Sequence, residues 1–326
     1  VGRTSTGKPL RVTPEGPGGR GGGNKRPTTL DTSCTASSNS RFVDLSERAK
    51  SSPLDTARAI SKLRLHMLID LNGYTTDERS EILAFQPARI AMHAVGYPGT
   101  MGAPFVPYML LDKHAKPLDA SAVLSESLVL LPHCYQSNNH ARTAPIDGES
   151  RPLGDEEDDD VNATSVAVRG DEPAFAADRP LLINFNQLYK VSPAAGALWC
   201  GVMRRSTSAR LWLLQQPAEG APQLRAELAA CGLHAKRRVS FAPLVSKIAR
   251  HLARLRAASL LVDTPEYNSH TTASDSLWGG VPMVTVPGEA MAARVGSSLV
   301  KAVSGGMGVV WSHKEYSDVA AALIGR

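Results

Sequence analysis

Two residues whose backbone could hold phosphate, Thr271 and Thr272, stand where an apolar run gives way to a helix-forming one, in the stretch YNSHTTASDSLWGG. Backbone N–H groups at a helix start point outward at the positive end of the helix dipole, so they suit an anion such as a diphosphate. Asp275 follows within the same turn, on the side where its carboxylate would accept hydrogen bonds from ribose hydroxyls. The pair Thr272-x-x-Asp275 also satisfies a capping box. Position alone leaves both readings open.

Other candidates sit near the ends of apolar runs. In NFNQLYK, residues 184 to 190, Gln187 offers an amide and Lys190 an ammonium. A cation there would neutralise charge growing on a departing diphosphate, where electrostatic catalysis acts most strongly. The alternative is a surface lysine. Lys247, His251 and Arg254 fall at i, i+4 and i+7, on one stripe of a helix whose neighbouring stripe, Ile248, Leu252 and Leu255, packs down. A solvated basic face would show the same pattern. The loop GYPGT, residues 96 to 100, carries Gly99 and Thr100 and would let backbone approach a ligand closely; a plain turn fits equally.

These residues need a frame of strands and helices. From Arg64 onward the segments RLHMLIDL, RIAMHAV, VPYMLLD and SLVLLP read as strands, with a helix in TTDERSEILAF. From Pro180 the strands LLINFN, RLWLLQ, RVSFAP, SLLVD and PMVTVP alternate with helices. Ser192 and Pro193 mark one helix start, Gly232 ends the next helix, and Gly279-Gly280 ends the helix that begins near Thr271. Alternation of this kind predicts parallel sheets covered on both faces. The expected fold is α/β, with two Rossmann-like doubly wound domains facing a cleft and ligands at the carboxyl ends of the strands. The expected divisions are a disordered Gly-, Ser- and Pro-rich basic tail over 1–40, a partial first domain over 41–136, an acidic linker over 137–179 and a nucleotide-binding domain over 180–326.

Length and composition set limits. A chain of 326 residues has room for two domains of about 100 to 200 residues each. The formal charge of +5 gathers largely in the tail, and no basic face elsewhere suits nucleic acid. No apolar run reaches the roughly 20 residues that would span a bilayer. The four cysteines, Cys34, Cys134, Cys200 and Cys231, lie far apart, which predicts reduced thiols and a cytoplasmic or nuclear protein. The run DEEDDD contains an Asp-x-Asp pattern, but six acidic residues in a row produce that match trivially, and it reads as a solvated charge run. GRTSTGK, residues 2 to 8, imitates a phosphate loop without the Ser or Thr that would follow its lysine. Asn162-Ala163-Thr164 would accept a glycan only in a secretory protein.

Taken in order, LNGYTTDERSEI, GYPGT, NFNQLYK, FAP with its Lys and His, and VDTPEYNSHTTASDSLWGGVPMVTVPGE resemble the catalytic region of the O-GlcNAc transferases. The likeness runs from about Arg41 to Arg326 apart from the acidic segment. It implies a GT-B-type pair of domains with the first incomplete, a UDP-N-acetylglucosamine donor, Ser or Thr hydroxyls of intracellular proteins as acceptors, and inverting transfer with no metal or other cofactor. By the same likeness Gln187 and Lys190 would contact the diphosphate, and His270, Thr271 and Thr272 would hold phosphate and uridine. Asp275 would take the ribose. Val245, Ser246, Lys247, His251 and Arg254 would frame the base and ribose, with one extra residue between Lys247 and His251. The related Spindly-type O-fucosyltransferases, which use GDP-fucose, and a catalytically incomplete sugar-nucleotide-binding scaffold are the alternatives. The family's His-Pro segment with its active-site histidine, its tetratricopeptide repeats and its final stretch have no counterpart among these residues, so nucleotide binding is expected to be better retained than transfer.

Overall fold

The computed structural model describes residues 42–143, 179–233, 238–246 and 248–325. The basic tail, the phosphate-loop-like GRTSTGK, the acidic run, Asn162 and Lys247 lie outside the described residues.

Two parallel sheets carry the molecule. The first holds β1 (Met67–Asp70), β2 (Ile90–Ala94), β3 (Tyr108–Asp112) and β4 (Ser127–Leu131) in sequential order. In chain order the same part of the sequence also forms α1 (Ser46–Ser51), α2 (Pro53–Ser61), α3 (Ser80–Ala84), α4 (Ala120–Val123) and α5 (His140–Thr143). The second sheet contains β5 (Leu181–Asn184), β6 (Arg210–Leu214), β7 (Val239–Ala242), β8 (Leu260–Val262) and β9 (Met283–Val284) in the order β7-β6-β5-β8-β9. Its helices are α6 (Pro193–Arg205), α7 (Gly220–Ala230), α8 (Ile248–Leu255), α9 (Thr271–Trp278), α10 (Val295–Ser304) and α11 (His313–Ile324).

Local chemistry sets several boundaries. Ser192 caps α6 by accepting from the Ala195 N–H, with Pro193 at the first helical position. Gly232 takes φ +78° just past α7 and Gly280 φ +83° just past α9, a left-handed conformation that glycine adopts without a Cβ penalty. The helix expected over residues 75–85 shrinks to Ser80–Ala84. The Glu78 carboxylate accepts from the Ser80 N–H at 2.8 Å, and Asn72 and Thr75 bond each other, so side chains hold the preceding residues in a turn.

The second sheet is covered on both sides. Trp199, Met203, Leu211, Leu213 and Tyr316 pack on one face. The other face is shared: Leu181, Ile183, Phe185, Trp212 and Leu261 join Met109, Leu111, Ala115 and Tyr135 of the first lobe in a single apolar cluster. The two sheets therefore meet through common core. Asp112, at the end of β3, ties them further by accepting from the Ser298 hydroxyl at 2.6 Å, and Arg294 donates to the His114 carbonyl at 3.2 Å.

Two expectations need correction. Among the described residues, the first sheet is left open on one face along β1. α2 and α3 pack over Leu68, but Met67 and Ile69, on the opposite side of β1, are 44% and 43% exposed. Cys200 and Cys231 are not separate thiols: they form a disulfide, because α6 and the end of α7 pack side by side and bring Cα atoms 31 residues apart in sequence to 6.2 Å. With that pair bonded, cysteine usage no longer argues for a reducing compartment. Among the described residues, no helix is long and apolar enough to cross a membrane.

Candidate nucleotide-sugar site

Strand order in the second sheet reverses at β5, which pairs with β6 on one side and β8 on the other. In such sheets the crevice beyond the carboxyl ends at the reversal is where ligands bind. Two segments leave there: residues 185–190 after β5, and residues 263–270 after β8.

A buried polar network fixes both. Asn184 donates to the Val262 carbonyl at 2.8 Å, and Asn186 donates to Thr264 Oγ1 at 3.1 Å and Ser269 Oγ at 2.8 Å. Asp263, fully buried, accepts from the Ser269 N–H and from the Thr285 hydroxyl, both at 2.6 Å. Burial pushes its carboxyl up to about 6 against those stabilising hydrogen bonds. Asn268 bonds the Thr264 carbonyl and accepts from the Gly296 N–H. None of these residues was singled out from sequence. Their signal was present as polar residues interrupting apolar frames at two strand ends.

On this floor rests Lys190. Its ammonium lies 3.9 Å from the Tyr267 ring centroid and donates to the Asn268 carbonyl at 3.3 Å. Burial draws it down to about 8, partly offset by the Asp263 charge. It is half-buried in the crevice rather than spread on the surface. Gln187 begins the short turn that carries Lys190, and its side chain is exposed.

Helix α9 opens beside them. Its first internal bond runs from the Ser274 N–H to the His270 carbonyl, and no side chain caps its start. The Thr271, Thr272 and Ala273 N–H groups are therefore helix-start donors without a partner inside the helix. His270 behaves differently from expectation. Its Nε2 lies 3.0 Å from the Ala292 carbonyl, which can only accept, so the ring proton is committed there. Burial, with Lys190 second, pushes the imidazole down to about 3. His270 thus offers an anion its backbone and no side-chain proton.

The capping-box reading of Thr272 and Asp275 fails, because Thr272 lies inside α9 and the Asp275 carboxylate points elsewhere. Asp275 Oδ1 accepts from His140 Nε2 at 2.6 Å, and Oδ2 stands 3.4 Å from His251 Nε2. The solvated-face reading of α8 fails as well. Arg254 is 2% exposed, folds its guanidinium over Phe185 at 4.4 Å, and donates to the Pro243 carbonyl at 2.8 Å and to His251 Nδ1 at 3.1 Å. Arginine only donates, so the proton of a singly protonated His251 sits on Nε2, toward Asp275. Ile248, expected to pack down with Leu252 and Leu255, begins the helix and is 38% exposed. Val245 is half-buried and Ser246 exposed on the loop between β7 and α8.

From the first lobe, the loop after β2 reaches toward the same region: Tyr97 lies close enough to Tyr267 to help burial raise its phenol. Thr100 is engaged locally, donating to Glu126 Oε2 at 2.9 Å, and the Met101 N–H bonds the same carboxylate. Gly99 packs against the Tyr97 ring.

Two parallel α/β lobes, with an anion-ready helix start and a desolvated lysine at the reversal point of one sheet, define the GT-B class of glycosyltransferases. Glycosyl transferase family 41 matches the chain over residues 26–169 and 149–325, and the chain belongs to that family. It is 36% identical over 283 residues to the probable UDP-N-acetylglucosamine–peptide N-acetylglucosaminyltransferase SEC of Arabidopsis thaliana, an overlap covering 86% of this chain and 27% of that protein. It is 26% identical over 374 residues to the UDP-N-acetylglucosamine–peptide N-acetylglucosaminyltransferase of Caenorhabditis elegans, covering 86% of this chain and 32% of that one. The chain thus spans roughly a third or less of each relative's length. Its fold matches that of a Thermobaculum terrenum O-GlcNAc transferase with a TM-score of 0.68 at 24% identity, over 87% of this chain and 52% of the other.

Proposed function

We propose that this chain carries the donor-binding core of an enzyme that moves N-acetylglucosamine from UDP-N-acetylglucosamine to Ser or Thr hydroxyls of proteins, with inversion and without a metal ion. The observation that carries this reading is the meeting of Lys190 with the uncapped start of α9 at the β5/β8 crevice. The names of the Arabidopsis and Caenorhabditis relatives support the same donor and acceptor classes.

In this reading the diphosphate lies across the Thr271 and Thr272 N–H groups with Lys190 beside it, and Gln187 reaches it from the rim. Asp275 takes the ribose, while Val245, Ser246, Lys247, His251 and Arg254 frame the base. Gly99 and Thr100 face the sugar from the first lobe, offering backbone, since the Thr100 hydroxyl is spent on Glu126. The acceptor oxygen attacks the anomeric carbon from the side opposite the diphosphate. As that bond forms, the bond from the carbon to the diphosphate oxygen breaks, its electron pair leaves with UDP, and the proton of the acceptor hydroxyl passes to a phosphate oxygen of the departing UDP. Lys190 and the helix start stabilise the charge that accumulates on the leaving oxygen.

Calorimetry or thermal shift with UDP and GDP tests the donor class. The expected outcome is tighter binding of UDP; equal or tighter binding of GDP would favour a guanosine donor and the Spindly-type activity.

A further inference from the structure

The residue that holds Asp275 in place comes from outside the nucleotide-binding lobe. His140 lies on the short helix α5, in the segment that sequence patterning treats as linker, 135 positions before its partner. His140 is 6% exposed, and its ring packs 6.0 Å from the Trp278 ring, on the same helix as Asp275. The preceding turn is fastened too: Asn138 accepts from the His140 N–H at 3.0 Å and donates to Ser274 Oγ at 2.6 Å. Among the described residues, the buried His140 Nδ1 has no hydrogen-bond partner. The ring's one hydrogen bond among the described residues therefore runs from Nε2 to Asp275, and a buried nitrogen left bare disfavours a histidine that serves only as filler. A residue that only filled space there would serve better as a carbocycle.

We propose that His140 is a positioning residue for the nucleotide-sugar site, aiming the Asp275 carboxylate at the ribose hydroxyls of the bound nucleotide. A carboxylate has room for about four hydrogen bonds. His140 takes Oδ1 from one side and His251 stands at Oδ2, itself held by Arg254, so the carboxylate cannot rotate about its χ2 axis without losing the short bond. The remaining lone pairs then have one fixed direction. Without the Nε2 donor, Asp275 is free to turn toward His251, and its fit to the ribose is lost while the diphosphate contacts stay intact.

This inference rests on the proposed nucleotide reading, and the test separates the two. The whole 326-residue chain is titrated with UDP and with 2′,3′-dideoxyuridine diphosphate, which keeps base and diphosphate but lacks both hydroxyls. The native protein prefers UDP. His140→Phe, which preserves the ring and removes the donor, is expected to weaken UDP about tenfold, the scale of one lost hydrogen bond to a charged group, and to leave the dideoxy compound within threefold, so the preference collapses. His140→Gln restores a side-chain N–H and recovers most of it. His140→Leu, measured per folded molecule, is a second donor-free variant should Phe prevent folding. Equal weakening of both ligands would make His140 a structural residue only, and an unchanged preference in the donor-free variants would overturn the proposal. Absence of UDP binding by the native chain would instead overturn the nucleotide reading on which it stands.

Discussion

Lys190 owes its properties to its surroundings. In water its ammonium would titrate near 10.4, but burial against Tyr267 and the polar network brings it to about 8. A bound diphosphate favours the charged form. UDP affinity should therefore be highest below pH 8 and fall as pH rises through that value, by up to about tenfold per pH unit for one linked proton. A terminal phosphate titrates near 6, well outside that window. Binding measured from pH 7 to 9.5 checks the slope, and Lys190→Met should flatten it. In transfer assays on a form of the enzyme that turns over, Lys190→Ala should cost about 10² to 10³ in rate; a change under tenfold would leave Lys190 without a role in stabilising the leaving group.

Among the helices, α10 shows how tightly the floor of the site is built. Gly296 sits where an added Cβ would stand 2.6 Å from Asp263 Oδ2, 2.8 Å from Met283 Cε and 2.9 Å from Thr285 Oγ1. Its N–H is also the donor to Asn268, whose carbonyl holds Lys190. Gly296→Ala has no conformational reason to fail, since a helix accepts alanine readily. Its cost comes from overpacking, about 1 to 3 kcal/mol, together with weaker UDP binding as Asn268 and Asp263 shift. Chemical denaturation with a parallel UDP titration reads both. Full stability with unchanged affinity would mean that α10 moves away at no cost and does not set the position of Lys190.

For the molecule as a whole, Asp112 does for the junction what Asn186 does for the crevice. One oxygen accepts from the His114 and Ala115 N–H groups, and the other accepts from the Tyr135 N–H and from Ser298 of the second lobe. Asp112→Ala leaves these buried donors unmatched at about 1 to 3 kcal/mol for each that finds no substitute. Ser298→Ala removes one of the links between the lobes, about 0.5 to 1.5 kcal/mol. Urea midpoints should rank the variants in that order. If Ser298→Ala proves the more damaging, the junction depends on packing around α10 and not on this carboxylate.

Much of the frame was legible in the sequence because its signals are local. Apolar runs such as LLIN and RLWLL become strands wherever helices cover them, Ser192-Pro193 starts a helix by its own hydrogen bond and fixed φ, and Gly232 stops the next by its left-handed backbone. The helix start at Thr271 and the lysine at 190 were legible for the same reason. Partnership is not local. Nothing near His140 announces Asp275, nothing near Cys200 announces Cys231, and an i, i+4, i+7 stripe cannot tell a solvated arginine from Arg254 folded over Phe185. Those pairings exist only once the strand order β7-β6-β5-β8-β9 and the shared apolar cluster have brought distant segments together. The sequence by itself determined which segments could form an α/β frame and where a helix start and a lysine would stand. Tertiary structure alone decided which charges are buried, which proton each histidine commits, and which residue steadies the carboxylate, because burial and hydrogen-bond geometry depend on neighbours that chain order does not specify.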